Sequence, residues 1–176
     1  AKTVFFDQFE ALYEKGIHDD SSLSNLPTAY DYIRLGHPLS SVLEFFLGKL
    51  NGVSADQVIT FSSQTIPLLA VLRKNLFDNK KTLIAYTNDL PSLFDEETVK
   101  RVYGYSFEMK KVGSIDEISS FDGSVIYVNE SADFENFELT SNIDFYVRMN
   151  EKLGSVLIIN GEKNIEYVSA IQHVRR

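Results

Sequence analysis

From Val58 onward, short β-branched or aromatic runs alternate with segments whose apolar residues recur at helical spacing. Val58 to Phe61, Thr82 to Tyr86, Ser106 to Val112, Ser124 to Asn129 and Val156 to Asn160 are predicted strands. Between them Ile66 to Phe77, Asp95 to Tyr103, Ile115 to Phe121 and Ile143 to Leu153 are predicted helices. Strands separated by helices imply crossover connections, hence an α/β fold with a mostly parallel sheet of about five strands and helices on both faces.

Residues 1–52 carry no comparable strand signal and are predicted to form an N-terminal helical segment with two helices. The first is rich in aromatics, with Phe5, Phe6, Phe9, Leu12 and Tyr13 either covering the sheet or facing a neighbouring subunit. In the second, Leu39, Val42, Leu43, Phe46, Leu47 and Leu50 make one apolar stripe, Ser41 and Glu44 have capping-box spacing, and Asn51-Gly52 ends the helix. The stretch 19–28, rich in Ser, Asp and Asn, reads as an exposed connection. No repeat or linker divides the chain, so 1–52 and the sheet region 53–176 are expected to form one domain.

Composition narrows the functions available. The 176 residues include 17 basic and 25 acidic side chains, a net charge of -8, and 44% hydrophobic positions. That is a globular composition, and its acidity leaves no basic stripe for nucleic acid. The absence of cysteine excludes disulfides, thiolate metal sites and cysteine nucleophiles, and fits a reducing compartment. His18, His37 and His173 are scattered without metal-ligand spacing, so no metal is expected. No apolar run approaches the roughly 20 residues that span a bilayer, and no signal-peptide pattern opens the chain, so a cytoplasmic location without membrane association is expected.

In parallel sheets, ligands collect at the carboxyl ends of strands and at helix N-termini. That places Ser62-Ser63-Gln64-Thr65, between a strand and a helix with Pro67 in its first turn, as a phosphate cradle or as a plain N-cap. A second candidate is Tyr30 to Pro38, where phenols, Arg34 and His37 precede a helix and otherwise read as a turn broken by Gly36 and Pro38. No GxGxxG, GxxxxGK[ST] or GxSxG pattern occurs, which removes dinucleotide, P-loop and hydrolase readings and leaves a bland Rossmann-like or flavodoxin-like domain as an alternative. Glu96-Glu97, Asp133 and Glu135 read as solvated faces rather than an acid/base couple.

Tyr32-Ile33-Arg34-Leu35-Gly36-His37-Pro38 followed by Leu43-Glu44 resembles the Tyr-Ser-Arg-x-x-Asn-Pro-Thr segment and downstream Leu-Glu of the cystathionine γ-synthase/γ-lyase family. Phe61-Ser62-Ser63 with Ala70-Val71-Leu72, then Leu93-Phe94, Tyr103-Gly104, Val125 to Val128 and Gly154 to Ile159, are similar to later blocks of that family. The resemblance implies the large domain of a fold-type I transferase, pyridoxal phosphate as cofactor, the chemistry of cysteine and methionine metabolism, and a homo-oligomer. It also implies that Tyr32 and Arg34 hold the cofactor phosphate of an adjacent subunit and that Ser63, Gln64 and Thr65 form the phosphate turn.

The departures carry as much meaning. Gln64 stands where the family has a glycine, Leu90-Pro91 where it has the ring-stacking aromatic, and Asn160 where it has the aspartate that keeps the pyridine nitrogen protonated. Ser169-Ala170-Ile171-Gln172 is the stretch comparable to the family's Ser-Ala-Thr-Lys block, which puts Gln172 at the Schiff-base lysine, and an amide cannot form that linkage. The family's small C-terminal domain has no counterpart. The expectation is a degenerate or shortened homologue, non-catalytic and with a possible protein partner. The alternative is a piece of an active C–S lyase or γ-synthase whose lysine lies beyond Arg176.

Overall fold

A computed structural model of the chain describes residues 2–29 and 37–175. The helices are α1 (Lys2–Glu14), α2 (Asp20–Ser24), α3 (Pro38–Asn51), α4 (Ile66–Phe77), α5 (Glu96–Tyr103) and α6 (Tyr167–Arg175). The strands are β1 (Val58–Phe61), β2 (Thr82–Tyr86), β3 (Glu108–Lys111), β4 (Ser124–Glu130), β5 (Phe145–Asn150) and β6 (Gly154–Ile159). They form one sheet in the order β1-β6-β5-β4-β2-β3. The pairs β5–β4, β4–β2 and β2–β3 are parallel, while β6 is antiparallel to both β5 and β1. Five strands therefore point one way and β6 alone opposes them.

The five anticipated strands are all present, and the sixth corrects the expectation of a helix over Ile143 to Leu153. That stretch is β5 and the turn into β6. A strand covered on both faces has no polar alternation: Phe145 to Met149 are all buried, and such a run imitates a helical stripe. The short helix expected over Ile115 to Phe121 is a single 3-10 turn at Ile115–Glu117. Conversely, α6 had no counterpart among the predicted elements.

Each sheet face has its own apolar layer. Ile59, Phe61, Ile84, Ile126, Phe145, Val147 and Leu157 point toward α4, α5 and α6. Val58, Ala85, Val125, Tyr146, Val156 and Ile158 point the other way, toward Leu47 of α3 and the irregular segments between β3 and β5. Outside α3, Phe5 and Phe6 of α1 pack with Phe45. The aromatic face of α1 thus covers the domain's own α3 rather than standing free.

The orientation of α3 corrects a second expectation. Leu39, Leu43 and Leu50 of the anticipated stripe face outward, with Leu39 71% and Leu50 60% exposed, and Phe46 is partly exposed beside the rings of Phe9 and Tyr13. The buried face is Ser41, Glu44, Phe45, Leu47 and Gly48. Gly48 allows this approach, because a Cβ there would lie 2.9 Å from the Val53 carbonyl oxygen. Ser41 and Glu44 form no capping box: His37 accepts the Leu39 N–H at 3.1 Å, and Pro38 opens the helix. Glu44, fully buried, accepts the Thr60 N–H at 2.9 Å and its hydroxyl at 3.0 Å, and pairs with Lys2 at 2.9 Å and with Arg175. The carboxylate joins α1, α3, β1 and α6. Among the described residues no helix is long and apolar enough to cross a membrane.

Candidate functional site

With β1 to β5 pointing one way, their carboxyl ends share one edge of the sheet, and the β5–β6 turn lies on that edge too, since Asn150 pairs with Gly154 and Phe61 with Ser155. The segment 62–65 leaves β1 there and enters α4. Gly154 permits the crowding at this point: it has φ 94°, and a Cβ would sit 2.2 Å from the Phe61 oxygen. Ser155 Oγ donates to the Ser63 carbonyl at 2.5 Å, and Gln64 Nε2 donates to the Asn150 carbonyl at 2.9 Å.

The structure brings Ser63, Gln64 and Thr65 together at the carboxyl edge, with the Ser63 hydroxyl and the Gln64 amide engaged in holding the turn. Ser63 Oγ accepts the N–H groups of both Thr65 and Ile66 at 3.2 Å. The next residue is Pro67, which has no N–H, and the Leu68 N–H donates to the Thr65 carbonyl at 3.1 Å. A helix N-terminus attracts anions through open N–H groups, and the first turn of α4 presents none. Pyridoxal phosphate would bring a phosphate dianion to this turn, and the N-terminus of α4 offers it no open N–H.

Asn160 lies away from these residues. It follows the last residue of the antiparallel strand β6, so it lies at the opposite edge, about 20 Å from the turn at ~3.3 Å per strand residue. There its side chain donates to the carbonyls of Thr140 and Ile143, both at 2.8 Å, closing the entry to β5. Gln172 lies on α6, the helix that packs on α4. Leu90 packs against the core between sheet and helices. Tyr32 and Arg34 lie outside the described residues.

One amine at the edge escaped the sequence reading. Lys152 is exposed in the β5–β6 turn and, with Asn88, Glu130, Ser131 and Asn150, lines an open hollow of about 510 Å3. Asn150 Oδ1 shapes that turn by accepting the N–H groups of Lys152 and Leu153 at 3.0 Å each. The signal was a polar Asn-Glu-Lys break between two apolar runs, visible once β5 is read as a strand. On the far edge strand β3, Lys111 pairs with Asp89 at 2.7 Å, and this hydrogen bond raises the pKa of its ammonium. Among the described residues no cluster of acidic or histidine side chains forms a metal site.

No protein-family model and no curated protein matches the sequence. Solved structures do share the fold. MetB from Corynebacterium glutamicum superposes with a TM-score of 0.51 at 14% identity, over 88% of this chain and 51% of that one. A putative L-allo-threonine aldolase from Listeria monocytogenes gives 0.52 at 12% identity, over 98% of this chain and 65% of that one. Cystathionine γ-synthase from Xanthomonas oryzae, solved with aminoacrylate and cysteine, gives 0.50 at 12% identity, over 85% and 49%. The chain spans about half to two thirds of the length of these proteins. Its six-stranded, mostly parallel sheet between helical layers is the fold of the pyridoxal-phosphate-dependent transferases.

Proposed function

We propose that this chain is a non-catalytic relative of the pyridoxal-phosphate enzymes of cysteine and methionine metabolism, keeping their scaffold without their cofactor chemistry. The observation that carries this reading is the closed first turn of α4. Ser63 Oγ occupies both N–H groups, and Pro67 removes a third donor. A phosphate would have to displace Ser63 and break the Gln64 link to β5. The separation of Asn160 from that turn by the length of a strand adds support.

The test is a visible spectrum of the purified chain with pyridoxal phosphate, then borohydride reduction and mapping of adducts by mass spectrometry. The expected result is no saturable band and only scattered surface labelling. One stoichiometric adduct on Lys152, lost in Lys152→Ala, would overturn the proposal. That outcome would support a second reading, a piece of an active C–S lyase or γ-synthase with its amine at Lys152 rather than beyond Arg176, for which the exposed Lys152 amine at the carboxyl edge speaks.

The same proposal gives the outward row of α3 a partner, a second copy of this chain. Leu39, Leu43, Phe46 and Leu50 are spaced four, three and four apart, the seam of a helix pair. In a two-fold antiparallel arrangement Leu39 meets Leu50 and Leu43 meets Phe46, so the row complements itself. Light scattering should give a dimer that Leu43→Glu converts to a monomer; a wild-type chain that is strictly monomeric would remove this part of the proposal.

A further inference from the structure

The sheet face turned toward α3 is not covered by a helix everywhere. Over β4 and β5 it is roofed by residues around 113–116 and 136–138, which leave a cavity of about 300 Å3. Its floor comes from alternate residues of two parallel strands, Tyr127 and Asn129 of β4 beside Tyr146 and Arg148 of β5.

Arg148 is the unusual member. Its side chain is 9% exposed in the middle of a sheet, where a guanidinium is costly to desolvate, and burial lowers its pKa. Its Nε donates to Asn129 Oδ1 at 3.3 Å, Nη1 donates to the Glu135 carbonyl, and the Phe137 ring lies 4.0 Å from the guanidinium carbon. These contacts hold the side chain in one orientation without using all of it. Nη2 has no partner among the described residues. The carboxylate of Asp133, 3.6 Å from Nη1, is 68% exposed and only partly compensates the charge.

Other lining groups are equally open. The Tyr127 and Ser114 hydroxyls and the Asn136 amide make no hydrogen bond among the described residues, whereas Tyr146 Oη is occupied by Thr140 and Glu138. A fixed guanidinium edge with free hydroxyl and amide donors is the chemistry that receives a carboxylate. Asp116 and Glu138 also line the cavity, and they set the rest of the specificity. Two carboxylates disfavour a dianion such as phosphate but accept hydrogen bonds from hydroxyl groups. We propose that this cavity binds a small hydroxylated monocarboxylic acid, its carboxylate on Arg148 Nη2 and its hydroxyls on Asp116 and Glu138. This inference does not depend on the absence of cofactor chemistry at the other site.

The experiment is an NMR titration of the wild-type chain, observing the arginine Nε–Hε resonances with D-gluconate as probe and propionate and inorganic phosphate as controls. Gluconate should shift the Arg148 resonance saturably. Propionate, lacking the hydroxyls, should bind about tenfold more weakly, equivalent to about 1.4 kcal/mol. Phosphate should bind more weakly than gluconate, and Asp116→Asn should narrow that gap. Arg148→Lys should abolish the gluconate response while the remaining amide spectrum stays folded. No saturable shift with gluconate, or propionate or phosphate binding as tightly, overturns the proposal; because the titration uses the wild-type chain, a variant that fails to fold does not affect this outcome.

Discussion

The turn after β1 and the cavity over β4 and β5 are both polar, yet they dispose of their polarity in opposite ways. In the turn, Ser63 Oγ and the Thr65 carbonyl take up the N–H groups of Thr65, Ile66 and Leu68, and the Gln64 amide is tied to Asn150. In the cavity, Arg148 is clamped on two of its nitrogens and left open on the third, with Tyr127, Ser114 and Asn136 open beside it. A buried polar group that is fully satisfied is architecture; one that is held rigid but unsatisfied carries a desolvation cost that a ligand can relieve. By that criterion the turn belongs with the scaffold and the cavity with recognition.

Glu44 is the most closed case, and breaking it should produce the largest effect. Glu44→Ala leaves Lys2 and Arg175 facing a buried space and deprives Thr60 of its acceptor, so a loss of about 3–5 kcal/mol is expected in urea unfolding. Glu44→Gln should be milder, since the amide oxygen still accepts from Thr60. Neither change should alter the gluconate response at Arg148, since β6 lies between β1, which Glu44 contacts, and the strands β5 and β4 that floor the cavity.

Ser63→Ala sharpens the comparison at intermediate size. It removes the acceptor that caps α4 and should cost about 0.5–2 kcal/mol. It also frees two N–H groups, so inorganic phosphate should stabilise the variant and leave the wild type unchanged, as read by denaturation with and without phosphate. Equal responses would mean that Ser63 does not close the turn.

The smallest effect is the acid response of the surface. Asp95 caps α5, and hydrogen bonding from the Thr98 side chain and backbone holds its pKa below the ordinary value of 3.8. Asp19 does the same for α2 through the Ser22 backbone and hydroxyl. A lowered folded-state pKa contributes stability above the ordinary carboxylate range and loses it as pH falls through the folded value. Asp95→Asn should therefore flatten the stability profile slightly below about pH 4 and change nothing near neutrality.

Local chemistry was legible where one residue or one period decides. Pro67 in the first turn of α4 and Gly52 at the end of α3, with φ 67°, are found where the sequence put them. The five strands and the helices α4 and α5 were equally plain. The site was legible only as a place: Ser63, Gln64 and Thr65 do stand at the carboxyl edge. Their occupancy was not, because whether Ser63 Oγ caps a helix or leaves it open depends on rotamer and approach rather than on residue type.

By itself the sequence determined the α/β class, the carboxyl-edge turn and the absence of thiol chemistry, since these follow from periodicity, helix-capping residues and composition. Tertiary structure decided the rest. A strand buried on both faces carries no alternation, so only pairing with β4 and β6 makes Phe145 to Asn150 a strand. Only that pairing turns Lys152 to the carboxyl edge, sends Asn160 to the opposite one, and sets Arg148 beside Asn129. The face of α3 was settled by Glu44, because a buried carboxylate goes where Lys2, Thr60 and Arg175 converge, and Leu39, Leu43, Phe46 and Leu50 are left outside as a consequence.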